Sequence, residues 1–465
     1  MKNIIVLIFL AAFFSASVMA SEPKPAGLWI GLIETGDALV PLEIEIHDRG
    51  EHWESDLIFP QEGRFRVRTD TTRIDNRQVS LSARDGLLTL EAELDGDHLI
   101  GVVTNRGRED KLRLGRENTQ AAAELIEEIQ TFRAALRSDP LVRTVGDSHP
   151  DGLEQEHLDA LVDQADASQT TSMVLRKDGQ VIGEWHRNGQ PRLVESMSVT
   201  KAVVNLVLGR LVTLGKIESI DLPAHHWFPE WSSGEYAEIT LQHLLTHTSG
   251  LEPATPTSEL YQSGDFIRFA LDAPLVAPPG TEVRYNNNAL NLLAMVAEKA
   301  AGQHLEEFLA NDLFALLGIA DFNWSRDPAD SPQGMAGLQI TAGDLGRLGQ
   351  LALDRGLWEG QQLINASWFE QSFSPATGNA EPTGGLARSG IEVGLIWFLI
   401  SDDKTGSVTG AMHSGYLGQY LVLDFENQLV AVRLIQNTAA YDPDSDAFAE
   451  FPKQVNRLVT TRNDQ

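Results

Sequence analysis

The sequence of 465 residues contains no cysteine. This absence excludes disulfides, thiolate metal sites and cysteine nucleophiles together. Basic residues are few, because 36 Lys and Arg stand against 66 Asp and Glu and give a formal net charge of −30. A field of this sign repels nucleic acid and anionic lipid head groups, so we expect neither as a partner. Beyond residue 20 no stretch is apolar for long enough to span a membrane, and we expect no span in the mature chain.

Residues 1–20 have the layout of a signal peptide. Lys2 precedes an apolar run from Ile4 to Phe14, and small residues then lead to Ala20. The alternative is a membrane anchor, but the run is short for a bilayer-spanning helix and its end looks cleavable. We therefore predict cleavage after Ala20 and secretion across the inner membrane, with the periplasm as the expected location.

Periodicity divides the rest of the chain into three segments. Residues 21–115 alternate apolar and polar side chains, and they predict a small antiparallel β-barrel or sandwich of six to eight strands. Residues 116–149 carry one apolar helical stripe and predict a helical linker. Residues 150–465 have strand-like runs at both ends and helical patterns between them, which predicts a single α+β domain. Within it we predict a last helix over residues 445–458.

Ser198 and Lys201 form the first candidate catalytic pair. On a helix, residues i and i+3 share a face, so the Lys201 ammonium would lie beside the Ser198 hydroxyl. A serine needs a base within hydrogen-bond reach, and lysine can serve if burial lowers its pKa. If Ser198 begins the helix, its backbone N–H can face a developing oxyanion. The alternative is an ordinary helix start with a solvated lysine.

The S-x-x-K spacing alone is weak evidence, because it recurs twice in the chain. Ser21 and Lys24 are separated by a proline at the predicted mature terminus. Ser401 and Lys404 lie in a polar turn with no helical continuation. Context therefore favours Ser198 as the nucleophile.

Tyr285 and Asn287 form the second candidate element, since Tyr285-Asn-Asn287 is the single Y-x-N among six tyrosines. It follows a Pro-Pro-Gly turn and precedes an apolar helical pattern, so both side chains are expected on a loop at a helix start. A phenol near Lys201 would have its pKa lowered and could relay the serine proton. We expect the Asn287 amide to hold a substrate carbonyl and to orient the lysine. The alternative is a surface loop in which one asparagine caps the helix.

Two segments compete for the third element, a strand edge against which the substrate lies. Lys404-Thr-Gly406 matches the β-lactamase K-T-G pattern literally, but its acidic and glycine neighbours indicate a hairpin tip. His413-Ser-Gly415 runs directly into apolar strands, and we favour it. Gly415 would allow close approach of a substrate, and the Tyr416 N–H could be the second oxyanion donor.

The three elements together resemble the serine β-lactamase-related family, which includes class C β-lactamases, D-Ala-D-Ala carboxypeptidases, D-aminopeptidases, family VIII esterases and nylon-oligomer hydrolases. Two further segments resemble family landmarks, namely residues 244–251 and residues 337–349 together with 356–360. The resemblance covers about residues 150–460. It implies a β-lactamase/transpeptidase-like α+β domain, with an antiparallel sheet flanked by helices and an all-helical region. It also implies Ser198, Lys201 and Tyr285 as catalytic residues, and Asn287, His413, Gly415 and Tyr416 as substrate-binding or oxyanion residues.

One departure from the family pattern bears on the substrate. Class C β-lactamases carry lysine at the position of His413, and a histidine is largely neutral at pH 7. This resembles the peptidase, aminopeptidase and esterase branches, so we expect weak β-lactam hydrolysis. The expected function is that of an exported serine hydrolase acting on a small-molecule or peptide substrate, an ester or an amide, with no metal or cofactor. A D,D-carboxypeptidase of the cell wall and a non-catalytic sensor or scaffold are the rivals. The sequence leaves the oligomeric state open.

Overall fold

The computed structural model describes residues 25–459, except 36–37, 61–64, 84–85, 87, 106–107, 137–138, 147–150, 255–256, 376–379, 384–385, 387–389, 403 and 438–440. The predicted signal peptide lies outside the described residues. The chain forms two compact units. One contains the residues up to 60 and residues 66–129, and the other contains residues 61–65 and the residues from 130 onward.

The first unit is a curled antiparallel sheet of nine strands in the order β4-β3-β2-β1-β9-β8-β7-β6-β5. The strands are β1 Gly27–Thr35, β2 Ala38–Asp48, β3 Trp53–Phe59, β4 Phe65–Arg68, β5 Thr71–Asp75, β6 Gln78–Ala83, β7 Leu88–Asp95, β8 His98–Asn105 and β9 Arg108–Arg116. Trp29, Leu32 and Ile44 are fully buried inside it. The sheet curls far enough for β3 to approach β5, where the Ser55 and Thr72 hydroxyls lie 2.7 Å apart. The predicted all-β unit is therefore present.

The strand count exceeds the predicted six to eight. The strand β5, Thr71–Asp75, has only one apolar residue in five, so the period-two hydrophobic signal is almost absent from it. Backbone pairing with β6 defines this strand instead.

The second unit is built on a seven-stranded sheet in the order β10-β12-β11-β23-β22-β21-β20. These strands are β10 Leu141–Val145, β11 Ser172–Lys177, β12 Gln180–Arg187, β20 Phe398–Ser401, β21 Val408–Gly415, β22 Gln419–Asp424 and β23 Leu429–Leu434. The neighbouring strands β11 and β23 join distant parts of the sequence, since Ser172 is paired with Leu434. Both β22 and β23 are buried along their whole length because helices cover both faces of the sheet.

Helices pack on the two faces of this sheet and form a helical region beside it. They are α2 Gln155–Ala167, α3 Thr200–Thr213, α4 Leu241–Leu245, α5 Thr257–Gln262, α6 Phe266–Asp272, α7 Asn287–Ala301, α8 Leu305–Asn311, α9 Leu313–Leu316, α10 Ala342–Leu353, α11 Ala366–Ser372, α12 Pro443–Asp446 and α13 Phe451–Val455. Helix α1, Gln120–Leu136, precedes them and begins in the first unit, where its Leu125 and Ile129 pack with Leu32. Helix α3 is the central one, with residues 200–211 all buried. Since α3 is buried on every side, its polar residues Lys201, Asn205 and Arg210 also lie inside the unit.

Short elements complete the second unit. The short strands are β13 Val194–Glu195, β14 Glu282–Val283, β15 Asn323–Trp324, β16 Leu338–Ile340, β17 Leu357–Trp358, β18 Gln361–Gln362 and β19 Glu381–Pro382. The 3₁₀ turns are Met197–Val199, Ala224–His226, Pro229–Trp231, Glu235–Glu238 and Tyr416–Gly418. Among the described residues, no helix combines the length and the apolar character that a membrane crossing requires.

Two predictions of local structure were wrong. The segment predicted as a helical linker contains helix α1, but it continues into strand β10, which pairs with β12 of the large sheet. The predicted helix over residues 445–458 is interrupted between α12 and α13. Phe448 adopts a left-handed φ of 45°, which a continuous helix does not allow.

Candidate active site

The candidate nucleophile Ser198 lies in the 3₁₀ turn Met197–Val199 that leads into α3. Hydrogen bonds to Leu338 fix the turn on both sides. The Ser196 N–H donates to the Leu338 carbonyl at 2.8 Å, and the Leu338 N–H donates to the Thr200 hydroxyl at 3.3 Å. Met197, directly before the serine, has a φ of +48°. Such strain in a non-glycine residue persists only where the surroundings over-determine the backbone. Ser198 is thus presented on a constrained turn at the start of a buried helix.

Lys201 follows Ser198 on the next turn of the helix, and its side chain is fully buried. Its Nζ lies 2.8 Å from Ser198 Oγ and 2.6 Å from the Met335 carbonyl oxygen. Both partners are uncharged, and burial lowers the pKa of Lys201 well below its ordinary value. A neutral amine in this position can donate to Met335 and accept the serine proton.

Tyr285 approaches Ser198 from the loop between β14 and α7. Its hydroxyl donates to Ser198 Oγ at 3.0 Å, so the serine oxygen meets an amine and a phenol together. The expectation that its pKa is lowered was wrong, since burial raises the pKa of Tyr285 to about 12. The nearby lysine lacks the full charge on which that expectation rested. Tyr285 is therefore a neutral proton donor in the free site, and Lys201 is the better base.

The two asparagines after Tyr285 have different roles. Asn286 caps α7, because its side-chain oxygen accepts from the Ala289 N–H and its amide donates to the Leu251 carbonyl at 2.7 Å. Asn287 is the first helical residue, and its Oδ1 is buried with no hydrogen-bond partner among the described residues. An unpaired amide oxygen of this kind can receive a donor from a substrate.

The predicted contact that orients Lys201 through Asn287 is replaced by a residue that the sequence did not indicate. The Met335 carbonyl holds the amine, and Asn291 holds the Met335 backbone. Asn291 Oδ1 accepts from the N–H groups of Gly334 at 2.9 Å and Met335 at 3.1 Å. Since any residue type can supply a carbonyl, no sequence signal marks Met335. Asn291, a buried polar residue one turn after Asn287, was the available clue.

His413 is fully buried at the end of β21. Its ring stacks on Phe398 at 4.8 Å, and its Nδ1 donates to the Ser414 carbonyl at 3.0 Å, which leaves Nε2 as an acceptor with no partner among the described residues. Burial lowers the pKa of His413 well below 6.5. The imidazole is thus neutral and offers a lone pair where class C β-lactamases offer a cation.

His247 braces the same region. Its Nδ1 accepts from the Asn286 N–H at 3.3 Å, and its ring lies 5.0 Å from that of Tyr285. Its backbone φ is +58°, and burial lowers its pKa to about 3. His247 is therefore a neutral part of the wall behind the phenol.

Gly415 and Tyr416 continue the strand beside the nucleophile. A Cβ on Gly415 would lie 2.9 Å from the Ser196 carbonyl oxygen and 3.1 Å from the Met197 Cβ. Since Gly415 has an ordinary extended φ of −123°, this close packing is the reason for glycine here. Tyr416 opens the 3₁₀ turn that follows, with its side chain 45% exposed. The segments that carry the two candidate oxyanion amides, Ser198 and Tyr416, are thus packed against each other.

The competing segment 404–406 is a hairpin tip between β20 and β21, as its composition indicated. The Asp402 carboxylate accepts from the N–H groups of Lys404 and Thr405. Lys404 is exposed there, whereas His413 lies near Lys201. The structure therefore brings together Ser198, Lys201, Tyr285 and His413, with Asn287 and Gly415 adjoining them.

One group of potential metal ligands lies in the first unit, where Glu45, His47 and Asp56 have ligand atoms within 4.8 Å of one another. Arginines already neutralise the two carboxylates. Arg66 lies 2.8 Å from Glu45, and Arg68 lies 2.8 Å from Asp56. Paired acids with adjacent cations make a poor divalent-cation site, so we interpret this group as an ion-pair network.

A model of the Beta-lactamase family matches residues 158–450. The chain belongs to this family. The match contains Ser198, Lys201, Tyr285 and His413, together with the large sheet from β11 to β23. The family resemblance and the α+β fold class expected from the sequence are confirmed.

Relatives in this family include hydrolases with different substrates. Esterase EstB of Burkholderia gladioli is 38% identical over 144 residues, which cover 27% of this chain and 36% of the esterase. The chain therefore spans about a third of that relative's length. The 6-aminohexanoate-dimer hydrolase of Paenarthrobacter ureafaciens is 25% identical over 300 residues, covering 59% of this chain and 74% of that enzyme.

Solved structures show the same fold. A protein of Bacteroides dorei described as a candidate β-lactamase aligns with a TM-score of 0.55 and 20% identity, covering 65% of this chain and 99% of its own. At this identity the likeness concerns the fold alone.

Proposed function

We propose that this chain is an exported serine hydrolase that cleaves an ester or amide through an acyl-enzyme on Ser198. One observation carries the proposal: Ser198 Oγ lies 2.8 Å from Lys201 Nζ and 3.0 Å from the Tyr285 hydroxyl. A nucleophile within hydrogen-bond reach of a base, and of a second proton carrier, is the arrangement that covalent catalysis requires.

The geometry supports a two-step reaction. Lys201 takes the Ser198 proton as Oγ attacks the carbonyl carbon, and the N–H groups of Ser198 and Tyr416 stabilise the oxyanion. Tyr285, protonated because its pKa is about 12, donates to the leaving alkoxide or amine, and its proton is restored from Lys201. Water then attacks the acyl-enzyme, gives up its proton to the same pair, and releases the acid. Ser198 Oγ, the leaving group of this second step, is protonated by the same pair.

His413 supports a neutral substrate at this strand. A buried neutral imidazole cannot form an ion pair with a carboxylate, which the lysine of class C β-lactamases can do. Its unpartnered Nε2 suits a substrate that donates a hydrogen bond. We therefore expect esters and uncharged amides to react faster than penicillins, whose carboxylate has no fixed cation at this position.

A second candidate function, hydrolysis of an amide that carries an ammonium group, is favoured by a cavity of about 540 Å³ beside the start of α7. Glu252 and Glu259 line it, and neither has an ion-pair partner among the described residues, whereas Arg268 is already paired with Asp272. Asn288, next to Asn287, lines the same cavity. Surplus carboxylates favour a cationic ligand. The similarity to 6-aminohexanoate-dimer hydrolase supports the same class.

The central experiment combines covalent labelling with turnover. We expect a fluorophosphonate to label the wild type and p-nitrophenyl acetate to be hydrolysed, and we expect both to be lost in Ser198→Ala. Ser401→Ala is the matched control, because Ser401 and Lys404 share the S-x-x-K spacing outside the site, and it should behave as the wild type. Well-folded wild type that neither labels nor turns over esters would favour the scaffold.

Two further measurements separate the rival substrates. Slow, stable labelling by fluorescent penicillin together with D-Ala-D-Ala peptide cleavage would favour the carboxypeptidase. For the amine-bearing class, the double variant Glu252→Gln, Glu259→Gln should raise KM for the 6-aminohexanoate dimer and leave p-nitrophenyl acetate unchanged. Glu235→Gln, an exposed substitution elsewhere, is the control. Equal kinetics for all three proteins on the dimer would remove this candidate.

Export rests on residues 1–20, whose charged start, apolar run and small residues support a cleaved leader. The test is N-terminal sequencing of the protein from a periplasmic fraction. A first residue of Ser21 is expected, and an intact Met1 in a cytoplasmic fraction would contradict export.

A further inference from the structure

Arg433 on β23 is a fully buried cation outside the catalytic group. It donates five hydrogen bonds, to the Thr170 hydroxyl, the Ser168 carbonyl and hydroxyl, the Asp446 carbonyl and, at 2.5 Å, the Gly418 carbonyl. All five acceptors are uncharged oxygens. Burial lowers its pKa to about 10, which still leaves the guanidinium charged at neutral pH. A buried charge held in this way fixes the groups that solvate it.

The Gly418 carbonyl ends a backbone turn of unusual conformation. Leu417 has a φ of +69° and Gly418 a φ of +90°, so two successive residues are left-handed. Leucine reaches this region only when its surroundings enforce it. A Cβ on Gly418 would lie 2.5 Å from Arg433 Nη1 and 2.2 Å from the Ala447 carbonyl oxygen. The arginine therefore packs directly under the turn and binds it.

The same turn carries one of the two candidate oxyanion amides. Tyr416 is its first residue, and Gly415 before it is packed against Ser196 and Met197. Leu417 also belongs to a small apolar cluster with Ile435 and Tyr441, and Met197 packs against this cluster. A shift of the turn would thus move the Tyr416 N–H relative to the Ser198 N–H.

We infer that Arg433 is a positioning residue for the oxyanion hole, acting through the Gly418 carbonyl on the turn that carries Tyr416. This inference rests on the proposed hydrolase function. Arg433 touches no reacting atom. Its effect should therefore appear in the stabilisation of the tetrahedral state and not in substrate binding.

The test compares Arg433→Lys, Arg433→Met and Gly418→Ala with Thr170→Val. The last variant removes a bond that the same buried arginine makes to a residue outside the turn, so it reports the cost of disturbing Arg433 alone. Removing an oxyanion donor outright costs about 10²–10³ in rate, and a displaced donor should cost less. We expect kcat for p-nitrophenyl acetate to fall roughly tenfold to hundredfold in Arg433→Met and Gly418→Ala. KM should stay near the wild-type value, and Arg433→Lys should recover part of the loss.

A tetrahedral analogue provides the second readout. Phenylboronic acid should lose affinity by about the same factor as kcat, because its adduct with Ser198 places an oxygen in the oxyanion hole. Thr170→Val should keep both quantities, even if its melting temperature falls. If Arg433→Met does not fold, the comparison of kcat and boronate affinity between Gly418→Ala and Thr170→Val provides the test.

Unchanged kcat and boronate affinity in the folded variants would overturn the inference, as would an equal loss in Thr170→Val. Failure of the proposed function looks different, since the wild type itself would then show neither ester turnover nor fluorophosphonate labelling.

Discussion

Lys201→Met separates the catalytic value of the buried lysine from its effect on stability. The lysine lies fully buried between Ser198 Oγ and the Met335 carbonyl, and neither partner carries a charge that would stabilise an ammonium. Methionine keeps the unbranched stem without the amine. Because loss of a general base typically costs about 10²–10⁴ in rate, ester hydrolysis should fall by at least a hundredfold.

Stability should change in a way that depends on pH. The pKa of Lys201 is lowered in the folded state, so the unfolded chain binds a proton that the folded chain does not, between the folded-state pKa and about 10.4. Within that window the free energy of unfolding of the wild type rises with pH by about 1.4 kcal/mol per pH unit for this group. The variant lacks the group. Its stability relative to wild type should therefore be highest at low pH and decline by about 2.7 kcal/mol over any two pH units inside the window.

The assay is urea denaturation of wild type and Lys201→Met in half-unit steps from pH 6 to pH 10, together with kcat/KM against pH for p-nitrophenyl acetate. The variant Lys404→Met, at an exposed lysine, controls for general electrostatic effects. A difference between the two unfolding free energies that stays constant from pH 6 to pH 10 would refute the lowered pKa. So would a wild-type kcat/KM that rises only above pH 10, because that is the behaviour of an ordinary solvated lysine.

Three other outcomes are expected. Tyr285→Phe removes the hydroxyl that lies 3.0 Å from Ser198 Oγ, so kcat should drop roughly 10²–10⁴-fold. Since the pKa of Tyr285 is about 12, the acid limb of the pH–rate profile should stay in place, and a shift of that limb would assign it to the tyrosine. The folded-state pKa of His247 is lowered to about 3, so its contribution to the free energy of unfolding is complete above pH 6.5 and falls by about 2 kcal/mol between pH 6 and pH 4.5. In urea titrations His247→Asn should remove this dependence of the unfolding free energy on pH, whereas His98→Asn, at an exposed site, should not. Gly415→Ala places a methyl group 2.9 Å from the Ser196 carbonyl oxygen, so it should lower the free energy of unfolding by about 1–3 kcal/mol and should also lower kcat. In the control Gly343→Ala the nearest atom to the new methyl group would be 3.4 Å away, and kcat should be unchanged.

The sequence was informative where chemistry needs particular residue types. A serine with a lysine at i+3, a tyrosine in a Y-x-N loop and a glycine after a histidine are recognisable because few other residues can serve. The structure places Ser198, Lys201 and Tyr285 within hydrogen-bond distance across 87 residues of chain. Their catalytic roles remain predictions until the variants are measured.

The sequence was least informative where the backbone or burial decides. The Met335 carbonyl that holds Lys201 has no residue-type signature, and the pKa of Tyr285 depends on how completely the ring is buried. The predicted final helix is interrupted between α12 and α13, where Phe448 is left-handed against the helical periodicity of the segment. The strand β10 in the supposed linker was missed because pairing with β12 defines it.

The pairing of β11 with β23 has a consequence for biogenesis. Ser172 finds its partner Leu434 only after most of the polypeptide has been made, so the central sheet cannot close on a nascent chain. A carboxy-terminal truncation before residue 429 should leave β11 with an open edge and a strong tendency to aggregate. With no cysteine to lock a partial structure, a chain translocated in unfolded form would reach the far side still able to complete this pairing.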